Sequence, residues 1–302
     1  MVITTFNREK YIERAIANFQ AQTYTNKELI IVDDHSQDQT QFLVHKLIEG
    51  DLRCSYIRNK QNLGLSASRN VGIDECKGKY FTFCDDDDLW KNTFIESFVK
   101  IAENYDDNWC FTCGNIYFKR GKEHKKISNY ETTLRDIILE GFTPPVASQF
   151  YHLSYIKEIG GYNTRIKSGV DHDLWLRLCS KDEMMIKHIG KALSYPNCNY
   201  GDERITTNMD NRKKNIMLSL KEWKPEIIEI FGLKFYYHFK RNYKYYLIKK
   251  EILQKLRSKK YLDILNLLLQ IELRFLIDDF WKSIKKKLFQ YEQTPLFKKF
   301  KN

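Results

Sequence analysis

Four consecutive aspartates, residues 85–88, are the side chains in this sequence best suited to chemistry. They follow residues 80–83 (YFTF), whose aromatic and β-branched side chains favour a short buried strand. Because four like charges cannot extend that strand, we expect them at its carboxyl end, in solvent or on a cation. Carboxylate oxygens are the ligands that Mg²⁺ and Mn²⁺ prefer. The alternative is a solvated acidic loop.

A second apolar run, residues 28–32 (ELIIV), also ends in carboxylates, Asp33 and Asp34. Open α/β sheets bind ligands just outside the carboxyl ends of their strands. One carboxylate for a base or ribose hydroxyl and another group for a metal on the phosphates would suit a nucleotide. The sequence contains neither a dinucleotide-binding glycine fingerprint nor a P-loop. The alternative is that Asp33 and Asp34 only cap the following helix.

The elements that must position these carboxylates alternate along the first 85 residues. Apolar runs predict strands at residues 2–5, 28–32, 53–57 and 79–84. Helical spacing of apolar residues between them predicts three intervening helices. This β-α-β-α-β-α-β order is typical of a mostly parallel sheet flanked by helices, so we expect an α/β fold.

A third candidate carboxylate lies further along the chain. Leu174, Trp175 and Leu178 are spaced to face a core from one helix. Asp171 would then lie at or near the N-terminus of that helix, where the helix dipole favours the anionic form.

Five segments together resemble the family 2 glycosyltransferases, which have a GT-A fold. They occur in the family's order at residues 3–8 (ITTFNR), 28–38 (ELIIVDDHSQD), 62–70 (NLGLSASRN), 83–88 (FCDDDD), and 160–162 (GGY) with 171–177 (DHDLWLR). The resemblance covers about residues 1–205. It implies a Rossmann-like GT-A domain, with a nucleotide-sugar half at about 1–105 and an acceptor half at about 106–209. The change in charge after residue 209 places the end of this domain, 1–209.

The resemblance also implies individual roles. The nucleotide-binding residues would be Thr5, Phe6, Asn7, Arg8, Asp33, Arg69, Asp85 and Asp86. Thr5 and its turn would lie by the nucleobase and ribose, Asp33 on the uracil or ribose, and Arg69 near the diphosphate. Asp87 would bind Mn²⁺ or Mg²⁺ directly, and Asp85 would bind the ribose, the metal or its water. Within the acidic run, Asp86 and Asp88 would mainly supply background charge or hydrogen bonds to loops.

Asp171 would be the catalytic base. An acceptor hydroxyl is a poor nucleophile, so a positioned carboxylate must take its proton during attack. One base without an enzymic nucleophile implies direct displacement with inversion. The alternative is that Asp171 is only a helix cap and Asp173 the base. For His172 a surface or hydrogen-bonded side chain is favoured over contact with the metal or the acceptor, and for Arg177 a structural ion pair is favoured.

Two departures from the family pattern narrow the function. Val170 stands where the family commonly has Glu, so a carboxylate that could contact the acceptor is missing. The family's acceptor-binding geometry is therefore a weaker guide for this chain. No Q-x-x-R-W follows Asp171 and no apolar run is long enough to span a membrane. These absences argue against a processive polysaccharide synthase and for transfer of a single sugar, a hexose or N-acetylhexosamine. The resemblance implies a nucleotide-sugar donor, with UDP favoured, and a bacterial surface glycan such as capsule, O-antigen or lipooligosaccharide as acceptor. The alternative is a non-catalytic module that binds a nucleotide or glycan.

Positive charge is concentrated in residues 210–302, which carry 23 Lys/Arg against 10 Asp/Glu in a chain of net charge +11. Helical periodicity and interleaved aromatic and basic residues predict a helical extension there. This pattern suits an anionic membrane surface and a lipid-linked acceptor. Structural or oligomer-forming helices and, least favoured, nucleic-acid binding are the alternatives.

The seven cysteines are scattered through apolar segments, which fits reduced thiols. Cys110 and Cys113 form one C-x-x-C pair, for which we favour core cysteines over a zinc or redox site. No signal peptide is recognisable. We therefore expect a cytoplasmic protein, peripheral on the inner face of the cytoplasmic membrane.

Overall fold

The first part of the chain alternates strands and helices, as the sequence predicts. The computed structural model describes residues 1–119, 122–139, 146–179, 184–196 and 209–257. The first elements are β1 (Val2–Thr5), α1 (Glu9–Gln20), β2 (Leu29–Asp33), α2 (Thr40–Ile48), β3 (Cys54–Arg58), α3 (Leu65–Glu75) and β4 (Tyr80–Phe81).

Parallel pairing brings the candidate carboxylates to one edge of the sheet. Strands β1, β2 and β3 pair in that order, with Thr5 opposite Asp33 and Asp33 opposite Arg58. Val2 also bridges Phe83 in parallel, just beyond β4. The carboxyl ends of β1 and β2 and the acidic run therefore lie at the same edge of the sheet, with β1 next to the segment that enters the run.

The second part of the sheet is mixed. Its elements are β5 (Leu89–Trp90), α4 (Phe94–Ala102), β6 (Trp109–Lys119), β7 (Lys122–Lys126), β8 (Glu131–Thr133), α5 (Leu134–Leu139), β9 (Gln149–His152), α6 (Leu153–Glu158), α7 (Val170–Cys179) and β10 (Met185–Tyr195). The strand order is β4-β9-β6-β10-β5, with β7 on β6 and β8 on β10. The β6–β10 pair is parallel and the other pairs are antiparallel.

One apolar core joins the two parts. Helix α1 buries the apolar residues along one of its faces. Aromatic rings from α4, β6 and β9 pack into the same cluster. Helix α3 approaches β1 closely at Gly72, where a Cβ atom would lie 2.5 Å from Val2 Cγ1. Glycine is required there because any side chain would push α3, and the residues it carries, away from the sheet.

The first compact unit runs from Met1 to Gly232, further than the boundary at 209 that the charge distribution suggested. It includes α8 (Met209–Glu222) and α9 (Lys224–Phe231). Trp223 and Ile227 are fully buried, so these helices contribute to the core of this unit. Charge composition did not reveal this because the buried apolar residues are few and lie among charged ones.

The second unit begins at Leu233, and its described part is the helix α10 (Leu233–Arg257). Residues 233–302 carry 18 Lys/Arg against 6 Asp/Glu, so the positive excess belongs to this unit. The helices predicted beyond residue 257 lie outside the described residues. Within the described part of the chain, no helix combines the length and apolarity needed to span a membrane.

The C-x-x-C pair lies within β6. Cys110 and Cys113 are both buried, and each has a free thiol. Burial raises the pKa of the Cys113 thiol to about 12, which favours the neutral form. Both cysteines therefore act as core residues, the reading that the sequence favoured.

Candidate active site

Three carboxylates of the acidic run form a cluster. Oxygens of Asp85, Asp87 and Asp88 lie within 4.8 Å of one another. The Asp88 amide donates to the Asp85 carbonyl at 3.0 Å, so a tight turn folds the run back on itself. Three hard oxygen donors at this spacing fit a divalent cation such as Mg²⁺ or Mn²⁺. The sequence pointed to Asp85 and Asp87 and missed Asp88, because only the turn brings residue i+3 back to residue i.

The side chain of Asp86 contacts the turn after β1. Its carboxylate accepts a hydrogen bond from Thr5 Oγ1 at 3.0 Å and lies 3.6 Å from Arg8 Nε. Burial raises the pKa of Asp86 to about 7, while Arg8 and Thr5 oppose the shift. Asp86 therefore ties the acidic turn to the turn after β1.

The turn after β1 also contacts the turn after β2. Asn7, at φ +53°, donates its amide to Ser36 Oγ at 2.9 Å and accepts the Gln37 amide at 2.7 Å. Phe6 presents an exposed ring beside these bonds. All four residues of the predicted 5–8 group thus lie at the edge where β1 and β2 end, next to Asp86.

Asp33 is buried and fully engaged with protein donors. The Ser36 amide donates to Oδ1 at 2.8 Å, and the Tyr56 hydroxyl donates to Oδ2 at 2.7 Å. Arg58 Nε lies 3.8 Å from Oδ2. Burial, reinforced by Asp33, raises the pKa of Tyr56, so that hydroxyl stays a donor. Asp33 is therefore placed at the predicted edge, where it organises the surrounding loop.

Asp34 organises the start of α3. Its carboxylate accepts the amides of Leu63 and Gly64 at 2.7 and 2.8 Å and the Asn59 side chain at 2.8 Å. The N-cap residue of α2, Gln39, makes no side-chain capping bond, and the side chain that accepts the Thr40 amide, at 3.0 Å, is Asp38. Asp33 and Asp34 thus do not cap the helix that follows them, because their partners lie in the turn after β2, on β3 and in the turn after β3.

Arg69 joins two of the candidate catalytic carboxylates. From α3, its Nη1 donates to Asp171 at 2.9 Å and its Nη2 to Asp85 at 3.0 Å. The guanidinium carbon Cζ lies over the rings of both Phe83 and Tyr162, 4.0 and 4.8 Å from the ring centroids. The side chain is 1% exposed. The resemblance implied a place near the diphosphate, and the structure shows a buried fork that fixes Asp171 relative to the acidic cluster.

Asp171 lies in the first turn of α7 with 31% of its side chain exposed. Burial of the carboxylate raises its pKa, and Arg69 opposes that shift. A carboxylate that is open to solvent on one side and held on the other is arranged to accept a proton from a bound molecule.

Both carboxylate oxygens of Asp173, the alternative base, are hydrogen-bonded to other side chains. It is 1% exposed and accepts Arg177 Nε at 2.8 Å and Trp223 Nε1 at 2.9 Å. Arg177 is the ion-pair partner that the sequence suggested. Burial lowers the pKa of the intervening His172 to about 4, so its ring is neutral near pH 7.

A family model described as glycosyl transferase family 2 matches residues 1–159. The chain belongs to this family. Among relatives of this family 2 member, an uncharacterised glycosyltransferase of Haemophilus influenzae is 37% identical over 106 residues, 35% of this chain and 33% of its own. An uncharacterised glycosyltransferase of Rickettsia typhi is 27% identical over 201 residues, 62% of this chain and 60% of its own.

A third relative is the GalNAc(5)-diNAcBac-PP-undecaprenol beta-1,3-glucosyltransferase of Campylobacter jejuni. It is 28% identical over 158 residues, which make up 50% of each chain. This family 2 member therefore spans between a third and three fifths of the length of these three relatives.

Solved structures confirm the fold class. S. aureus TarS 1-349 in complex with UDP superposes with a TM-score of 0.61 at 19% identity, over 76% of this chain and 65% of that one. The complex with UDP-GlcNAc gives a TM-score of 0.62. At this identity the likeness establishes the fold alone, the α/β GT-A architecture expected from the sequence.

Proposed function

We propose that this protein is an inverting, divalent-metal-dependent glycosyltransferase that moves one sugar from a nucleotide donor to an acceptor hydroxyl. The observation that carries the proposal is the Arg69 fork, which holds the solvent-open Asp171 at 2.9 Å and the acidic cluster, through Asp85, at 3.0 Å. Metal-assisted sugar transfer requires a base and a carboxylate cluster that can bind a metal. The guanidinium of Arg69 holds both groups.

The chemical step needs a base from this chain and no enzymic nucleophile. Asp171 accepts the proton of the acceptor hydroxyl while the acceptor oxygen bonds to the anomeric carbon. The bond from that carbon to the diphosphate oxygen breaks on the opposite face, and its electron pair leaves with the nucleoside diphosphate. One displacement inverts the anomeric configuration.

Asp85, Asp87 and Asp88 would hold the divalent ion, which would supply positive charge for the departing diphosphate. Residues 5–8 would receive the nucleoside at the neighbouring edge, and the buried Asp33 and Asp86 would hold the turns that contact it. UDP is the favoured nucleotide because TarS, with the same fold, is described in complex with UDP and UDP-GlcNAc.

The acceptor we favour is a growing bacterial surface glycan on a lipid carrier. The Campylobacter relative is named for an undecaprenol-diphosphate-linked glycan. The second unit, with 18 basic residues against 6 acidic ones, would hold the enzyme at the anionic inner face of the cytoplasmic membrane.

Metal dependence gives the first test. We expect donor hydrolysis or transfer, assayed over a panel of UDP-, GDP- and CMP-sugars, to require Mn²⁺ or Mg²⁺ and to stop with EDTA. Asp87→Asn and Asp88→Asn should each lower kcat about 10²-fold, since each removes charge that stabilises the leaving group. Calorimetry should show weaker Mn²⁺ binding for both variants.

Asp106→Asn, a change at an exposed site away from the cluster, is the matched control and should behave as wild type. Full activity in EDTA would contradict the metal role. Nucleotide binding without turnover on any donor would favour a non-catalytic binding module instead.

Membrane attachment gives a second test. We expect the chain ending after Gly232, the last residue of the first unit, to keep donor hydrolysis and to lose binding to phosphatidylglycerol vesicles. Each basic residue near an anionic surface contributes about 1 kcal/mol. Sedimentation with phosphatidylglycerol and with phosphatidylcholine vesicles measures the difference. Equal binding by the full and shortened chains would refute the attachment, and salt-sensitive binding to DNA alone would point to nucleic acid.

A further inference from the structure

The helices α8 and α9 contact the segment that carries Asp171. Trp223, between them, is fully buried, and its indole N–H donates to Asp173 Oδ1 at 2.9 Å. We propose that Trp223 is a positioning residue for Asp171. The inference rests on the proposed role of Asp171 as the base, and it adds a part of the chain beyond residue 209 to the catalytic machinery.

The contact fixes the first turn of α7 from one side. Asp173 lies two residues after Asp171 in that turn, and its other oxygen is held by Arg177 at 2.8 Å. Arg177 in turn donates to the carbonyls of Ile159 and Gly161, both at 2.7 Å. An indole donor on one oxygen of the carboxylate and a guanidinium on the other thus lock the turn in one geometry.

The same network also reaches Arg69, the ion-pair partner of Asp171. Gly161 precedes Tyr162, whose amide and carbonyl are both bonded by the Asn70 side chain, at 2.7 and 2.8 Å. Tyr162 stacks on Arg69, and Asn70 is the next residue of α3. The base and its cationic partner are therefore held by one connected set of bonds that begins at Trp223.

The turn before α7 is shaped against the same helices. Ser219 Oγ donates to the Ser168 carbonyl at 2.9 Å. Gly169 has φ +77°, and a Cβ atom there would lie 3.0 Å from Trp223 Cη2. These contacts fix where α7 begins, so α8 and α9 determine the position of Asp171 through the backbone as well as through Asp173.

Trp223→Phe keeps an aromatic ring in the core and removes the N–H donor. We expect kcat to fall about tenfold, since a misplacement of 1 Å costs up to about 10²-fold. The KM for the donor should stay within about twofold, because the nucleotide edge is built from β1, β2 and the acidic turn. Asp173→Asn should likewise lower kcat and leave the KM for the donor nearly unchanged. The kcat of the double variant should be no lower than that of the less active single variant.

Trp175→Phe is the matched control. Trp175 is also buried, lies on the same helix and donates its indole N–H, but to Gln149 at 3.2 Å. We expect Trp175→Phe to lower Tm as much as Trp223→Phe while kcat changes less than about twofold. Equal loss of kcat in the two variants, or unchanged kcat in Trp223→Phe, would overturn the positioning role.

Hydrogen exchange separates this inference from the proposed function. In the full chain without substrate, amides of residues 170–174 should exchange faster in Trp223→Phe than in Trp175→Phe. If exchange is faster in Trp223→Phe but the wild-type protein is inactive, the proposed function is rejected. The contact would then still be one that orders the first turn of α7. Equal exchange in both variants would reject the positioning role whatever the activity.

Discussion

Asp171→Asn should lower kcat for sugar transfer by about 10³-fold, the middle of the range for a positioned general base. The amide cannot accept the acceptor proton, but it has nearly the same shape and can still accept the Arg69 hydrogen bond. Affinity for UDP with Mn²⁺ should therefore stay at the wild-type value. Transfer assays under donor saturation and calorimetry with UDP measure the two effects separately.

Asp74→Asn is the control for this experiment, because Asp74 is exposed on α3 and touches none of the candidate site residues. It should retain full activity. Wild-type turnover by Asp171→Asn would exclude the direct-displacement mechanism with this base.

The pH dependence follows from the same carboxylate. Burial raises the pKa of Asp171 above that of an ordinary aspartate, and only the ionised form can accept a proton. Transfer should therefore be lost as the pH falls through this raised pKa, at a higher pH than for an unperturbed aspartate. In Asp171→Asn the residual rate should lack this acidic limb.

Arg69→Met should remove activity and destabilise the fold by about 3 kcal/mol. Breaking a buried ion pair costs roughly 3–5 kcal/mol because a charge is left without its partner. The lower end applies here, since Asp85 and Asp171 keep 39% and 31% of their side chains exposed and water partly replaces the guanidinium. Urea unfolding measures the free energy, and transfer assays measure the activity.

Arg53→Met is the matched control for a lost arginine fork. Arg53 makes a bidentate pair with Asp51 at 2.8 and 2.7 Å, but its side chain is 42% exposed. We expect little change in stability and none in activity. Arg69→Lys should recover part of the stability and little activity, because an ammonium cannot hold both carboxylates in the fork geometry. A stable, active Arg69→Met enzyme would show that the bridge is dispensable.

Local pattern was sufficient for the architecture of the first part of the chain. Continuous apolar runs such as residues 28–32 mark strands covered on both faces, and polar turns mark their ends. The placement of Asp33 and of residues 85–88 at one edge then follows from parallel pairing, which the structure contains. Each of these features is encoded within a few consecutive residues, so it can be recognised from the local pattern of apolar and polar side chains.

The partners of each carboxylate were decided only by tertiary structure. The tight turn at Asp88 puts that residue in the cluster and sends Asp86 to Thr5, 81 positions earlier. Arg69 meets Asp171 across 102 positions, and Trp223 meets Asp173 across 50. Such contacts leave no local signal, because they depend on how α3, α7 and α8 pack together. The residue pattern thus predicts that carboxylates gather at the strand ends, whereas the packing of distant helices assigns each carboxylate its partners.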